Sequence, residues 1–173
     1  MEPFEADDEL VQEVFAHFGL AIYLVQVFET GMINALTILT ATENRQPREV
    51  WEKLYVEHEK LTFGNLLKKL SAKAFFPSDV EAQVLEIKKR RDHITHQFFR
   101  DHTISFNAAS GCKIMIAELE DFRDRIQSVG KVVDKLERAS LSRLGFSLDQ
   151  VDQLMDSLAE EMLADAKAGR FDL

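Results

Sequence analysis

The chain is poor in the residues that break, bridge or anchor a polypeptide. It has one cysteine, three prolines and seven glycines in 173 residues. A lone Cys112 excludes an intrachain disulfide, which fits a reducing cytoplasm. So few breakers, together with a scarcity of period-two apolar runs, argue against a β-rich fold and predict an all-α protein. The most apolar run, Phe18 to Phe28, is shorter than a membrane span and carries Gln26, and the opening "MEPFEADDE" is acidic rather than a basic-then-apolar leader. A soluble, cytoplasmic chain with no membrane partner is the expectation. No glycine-rich phosphate loop, HExxH pattern or Cys/His ligand spacing is present, so neither a metal nor a cofactor is expected. A net charge of -9 excludes coating nucleic acid with the whole surface but leaves room for a small basic cleft.

What is present is helical periodicity. Val11, Val14, Phe18, Ala21, Val25, Phe28, Met32 and Leu36 recur at steps of three and four, which predicts a first helix over about Asp7 to Ala41. "TENRQP" reads as a loop, with Pro47 suited to a helix start, and a short helix follows over Arg48 to Glu57. Thr62 caps the next, on which Phe63, Leu66, Leu67 and Leu70 share a side. Ser78 with Glu81 has capping-box spacing and opens a helix expected to run to about Asp101. Asn107 is the expected cap of a helix over about Ala108 to Ser140, with a seam of Met115, Leu119, Phe122, Ile126, Val129, Val133 and Leu136 at alternating steps of four and three. Gly145 stops it. Ser147 with Gln150 opens a last amphipathic helix to about Ala168. We expect a single domain over residues 1–173: an up-and-down bundle of about four long helices plus short ones over residues 7–140, and an additional C-terminal helix over about 147–168.

One stretch, "KKRRDHITHQFFRDH" from Lys88 to His102, departs from this acidic background. Laid out at about 100° per residue, its helix has a seam of Val80, Val84, Ile87, Arg91, Ile94 and Phe98. Arg91 occupies a position where an aliphatic side chain belongs. Its guanidinium must reach water along its stem, pair with an acid, or face an interface that needs a cation. Asp92 and His96, four apart, are placed so that the carboxylate can fix the imidazole tautomer. One flank gathers Arg91, Asp92, His93, His96 and Arg100. Such a set suits a phosphodiester: the imidazole moves a proton, the guanidinium holds developing phosphate charge, and the carboxylate orients the ring.

Plainer readings stand beside these. Lys88, Lys89 and Arg90 read as a solvated helix face following Glu81 and Glu86. His93 and His102 read as ordinary surface histidines rather than metal ligands, Phe98 and Phe99 as core, and His17 and His58 have no assigned role. For Arg91 with His96 the alternative is a structural ion pair.

"RRDHITH" resembles the R-x4-6-H signature of the HEPN superfamily of small all-α domains, with Arg91, Asp92 in the polar slot and His96. Arg90 would match with a gap of five, but Arg91 is preferred because the polar residue follows it and because it interrupts the seam. "FGLAIYLVQVFETGMINAL" and "TFGNLLKKL" are similar to segments of bacterial members, and the resemblance covers roughly residues 7–140. It implies a metal-independent endoribonuclease of defence or toxin type, acting as a homodimer with Arg and His of both chains lining one groove. Within that resemblance His96 assists 2′-hydroxyl attack or leaving-group protonation, Arg91 stabilises the phosphorane, Asp92 positions the site, and Lys89, Arg90, His93 and Arg100 bind the RNA. The product carries a 2′,3′-cyclic phosphate. An antitoxin or another regulatory protein is an expected partner. The toxin branch modified on a Tyr two residues after the His has Phe98 here, which offers no hydroxyl. The alternative is a non-catalytic HEPN-like module for protein interaction or for nucleotide or RNA binding.

Overall fold

An apolar side chain at every third or fourth position can be buried only against other helices, and that is how the chain is built. The computed structural model describes residues 8–43, 47–73, 75–143, 145 and 147–169. They form seven α-helices and one 3-10 turn, with no strand among the described residues: α1 Asp8–Glu43, α2 Arg48–Glu59, α3 Phe63–Ala72, α4 Ser78–His96, α5 Phe98–Asp101, the turn Ser105–Asn107, α6 Ala109–Arg143 and α7 Leu148–Lys167. The all-α expectation is met. The chain divides into two compact units, Met1–Leu136 and Glu137–Leu173.

In the first unit α1 supplies the central buried stripe, with Val14, Ala21, Val25, Phe28, Met32 and Leu36 all 5% exposed or less. The expected α6 seam is equally dry from Met115 to Val133. Each such Val, Leu, Ile, Phe or Met side chain contributes about 2 kcal/mol on leaving water. Contacts set the directions of the helices. His17 meets Arg123 and Phe28 lies against Gly130, so α1 and α6 run parallel. Arg91 of α4 meets Glu29 and Phe98 of α5 meets Phe18, so the run from α4 into α5 is antiparallel to α1. Below α4, Phe15, Phe18, Phe98, Phe99 and Phe106 form one aromatic cluster with centroids 5.0–6.0 Å apart.

The helix ends differ from expectation in instructive ways. Thr62 caps α3, its hydroxyl accepting from the Asn65 N–H at 3.4 Å. The Ser78–Glu81 box does not form. Pro77 holds the cap position without a side-chain bond, and the Glu81 carboxylate instead accepts from the Ser71 hydroxyl at 2.6 Å, tying α4 to α3. Asn107 does not cap α6; its amide donates backwards to the Thr103 carbonyl at 2.8 Å. The helix from Ser78 ends at His96 rather than Asp101, with a break at Gln97 before the short α5. Gly145 adopts φ of +84° after α6, the left-handed stop expected of it. The Gln150 side chain and residues 44–46 of the "TENRQP" loop lie outside the described residues, while its first two residues close α1. In the second unit Arg138 clasps Asp152 with two bonds of 2.7 Å.

Counted as a whole helix, α1 contains an 18-residue window of mean hydropathy 1.5, so by length and composition it passes as a membrane span, where the shorter run Phe18–Phe28 did not. Its inner stripe, however, belongs to the bundle core.

Two buried features generate predictions. At Gly111 in the first turn of α6, an added Cβ would sit 1.9 Å from the Ser105 carbonyl oxygen, whereas at Gly130 it would meet only Phe28 at 3.9 Å. Gly111→Ala should cost about 3 kcal/mol by overpacking against backbone, and Gly130→Ala should gain up to about 1 kcal/mol of helix propensity, both read from urea unfolding. His58, 7% exposed, shares a 2.9 Å hydrogen bond with the Thr37 hydroxyl. Burial, then the nearby Lys69, hold its pKa below the ordinary imidazole value. The folded state therefore resists protonation that the unfolded chain accepts. Its contribution is complete above about pH 6.5 and fades as pH falls through the depressed value. His58→Gln should flatten the fall in stability between neutral and mildly acid pH.

Candidate functional site

The seam register predicted for α4 is the one observed. Val80, Val84, Ile87, Ile94 and Phe98 are 5% exposed or less, and Arg91 interrupts them with a side chain 31% exposed. Its guanidinium crosses to α1, where Nη2 lies 3.2 Å from Oε1 of Glu29, while Nη1 donates to Asp92 at 2.9 Å. Asp92 in turn accepts from Lys88 at 2.8 Å. Two cations and two carboxylates thus form one half-buried network bridging α1 and α4.

The two acids are held differently. The hydrogen bond from Lys88, and secondarily that from Arg91, keep the Asp92 carboxyl below its ordinary value. Glu29 is pushed the other way: burial raises its pKa, Arg91 only partly offsets this, and the charge of Asp92 adds to the rise. Oε1 of Glu29 is closed to solvent and, although within ion-pair distance of Arg91, receives no aligned hydrogen bond. Glu29 is the weaker clamp on Arg91.

The other nominated residues separate into inner and outer groups. Arg90 is not a solvated charge: it pairs with Asp121, donates to the Glu118 carbonyl at 3.3 Å and lies 5.3 Å over the Phe122 ring, joining α4 to α6. Lys88 is likewise engaged, which leaves Lys89 as the solvated member of the run, 3.6 Å from Glu86. His93 is held by Asp101 at 2.8 Å, and His102 by Glu118 at 3.0 Å against the Phe98 ring. His96 and Arg100 are exposed, and among the described residues no side-chain hydrogen bond or ion pair reaches either. Asp92 is turned to Lys88 and Arg91, so it does not orient His96 in the single chain. His96 lies five positions after Arg91, which is about 7.5 Å along the axis and about 140° around it. Arg91 faces inward to α1 and His96 outward, so the single flank expected to carry both does not.

Glu29 is the residue that sequence reasoning missed. Its only signal was position: one acid in the apolar middle of α1, next to the buried Phe28. No group of three or more potential metal ligands occurs among the described residues. No protein-family model, curated protein or solved structure matches the chain.

The network makes a double-mutant prediction. Arg91→Met strands a half-buried carboxylate and should cost about 2 kcal/mol at neutral pH, a value reduced from that of a fully buried pair because both partners retain some solvent. Glu29→Gln should be neutral or stabilising there, because the raised pKa means that ionised Glu29 costs folding energy once pH rises through it. The double variant should recover most of the loss. Equal, additive losses in urea unfolding would contradict the coupling.

Proposed function

We propose that this chain is a HEPN-like helical ribonuclease subunit, a metal-independent endoribonuclease of defence or toxin type that works in the cytoplasm as a homodimer. The observation that carries it is the motif's chemistry on α4: a cation at an apolar seam position, Arg91, and five positions on an exposed imidazole, His96, without a partner among the described residues. In this reading the RNA phosphate replaces Glu29 as the partner of Arg91, and His96 moves the proton of the 2′-hydroxyl or of the leaving 5′-oxygen. Attack of the 2′-oxygen on phosphorus forms the cyclic phosphate as the P–O5′ bond breaks. Because Arg91 and His96 of one chain diverge around the helix, the two groups acting on a phosphate are drawn from two chains facing one groove. Arg100 and Lys89, both exposed, would guide the RNA towards it, and Asp92 sets the position of Arg91 rather than of His96. Control falls to an antitoxin or other regulatory protein.

A second reading rests on a specific observation. Arg91 is compensated by two carboxylates, as an architectural ion pair would be, which favours a non-catalytic HEPN-like module for protein interaction or for nucleotide or RNA binding.

The two readings part in one assay. Purified chain, His96→Ala and Arg91→Ala are incubated with mixed RNA in EDTA, and products are tested for 2′,3′-cyclic phosphate ends. The ribonuclease reading expects cleavage by the wild type, reduced about a hundredfold or more by His96→Ala. Identical cleavage by all three, or none by the wild type at high concentration, gives the module reading.

A further inference from the structure

The outward face of α1 carries a second helical seam that nothing in the bundle uses. Ala16, Leu20, Tyr23 and Val27 follow one another at steps of four, three and four, and all are exposed, Leu20 by 40%, Tyr23 by 59% and Val27 by 49%. Steps of this kind keep a stripe facing one neighbouring helix over several turns. Only 17% of the apolar window within α1 is buried, although the opposite stripe of the same helix is core. Beside this ridge lies a groove of about 260 Å³ between α1 and α6, lined by Leu24, Val27, Gly31, Ile126, Gly130 and Val133. The two glycines leave it open where a side chain would fill it. Ridge and groove therefore sit side by side on one helix, which is the condition for a self-complementary contact about a two-fold axis.

Charge selects the occupant. No Lys or Arg occurs in α1, so the seam has no cation to set against lipid phosphates. Its exposed Glu13, one step before Ala16 on the same stripe, has no partner among the described residues. On α6, Lys131 lines the groove and Lys135 follows one turn later; both are exposed, and neither has an acid partner among the described residues. Placing a second α1 antiparallel, with the axis near Tyr23, sets its Glu13 about ten residues beyond Tyr23 on the first. That is the level of Ile33, about half a turn past the groove residue Gly31, where α6 carries Lys131 and Asp134 at the groove and Lys135 one turn on. Two cations against one acid leave a net positive rim for the incoming Glu13.

We propose that the outward seam of α1 is the contact surface for a second copy of this chain, packed antiparallel, with Leu20, Tyr23 and Val27 in the apolar centre and Glu13 of each copy against Lys131 and Lys135 of the other. A two-fold axis perpendicular to the paired helices keeps both α4 helices on the same side of the pair, because Glu29, the contact of Arg91, lies about 120° around α1 from Tyr23. The interface does not rest on the ribonuclease reading. It is read by mass rather than by cleavage, so either can fail alone.

Sedimentation equilibrium of the full chain tests it. The expected result is a two-chain species. Leu20→Glu and Val27→Glu should each weaken association at least about thirtyfold with unchanged helical circular dichroism. Because those changes could disturb α1, surface charge reversal supplies an independent arm. Glu13→Lys should weaken association roughly fivefold, and combining it with Lys131→Glu and Lys135→Glu should restore it. A monomer at every concentration, a dimer insensitive to both sets of variants, or flotation of the chain with phosphatidylcholine or phosphatidylserine vesicles in place of dimerisation overturns the proposal.

Discussion

Arg91 sits on α4 between Ile87 and Ile94, both essentially dry, where an unpaired guanidinium would oppose the packing of α4 on α1. Asp92, itself anchored by Lys88, supplies the firmer compensating charge, and Glu29 reaches the same guanidinium from the middle of α1. The register of α4 against α1, the longest helix of the core, is coupled to this polar contact. Sliding α4 by a turn would bury a charge against hydrocarbon and expose an aliphatic seam residue. The ion pair therefore constrains alignment, whatever its net contribution to stability.

That constraint shapes what the motif can do. An arginine whose charge is compensated by two carboxylates offers little field to a phosphate until one of them is displaced. The two are unequal: Asp92 is also anchored by Lys88, while Glu29 is destabilised in its charged form and lacks an aligned hydrogen bond. If Arg91 receives a phosphate, as proposed, exchange of Glu29 for the incoming anion is the lower-cost route. The same network explains why His96 stands apart, since the carboxylate expected to orient it is occupied elsewhere.

Much of this was legible in periodicity. The α4 and α6 seams were placed residue by residue because a three-four repeat admits few registers, and Arg91 stood out because it violates one. The helix ends were less legible, because competing partners decide them. Glu81 has the spacing of a capping box but serves Ser71, and Asn107 has the chemistry of a cap but serves Thr103. Tertiary partners were not legible at all. Nothing local to "KKRR" reveals that Arg90 finds Asp121 and Phe122, or that Arg91 finds Glu29, because those encounters exist only once α1, α4 and α6 are packed. The outward seam of α1 lay hidden behind its inward one. A helix apolar on two sides reads from sequence as simply more hydrophobic.

The most direct test of the account is the titration of the Glu29 carboxyl, followed by carbon-13 NMR in the intact chain and in Arg91→Met. Burial should place the midpoint above that of an ordinary glutamate, with a further rise when the guanidinium is removed and no longer offsets it. An ordinary midpoint that does not move with Arg91 would contradict the account: the two side chains would then not be coupled, and the cation on the α4 seam would have to be explained without Glu29.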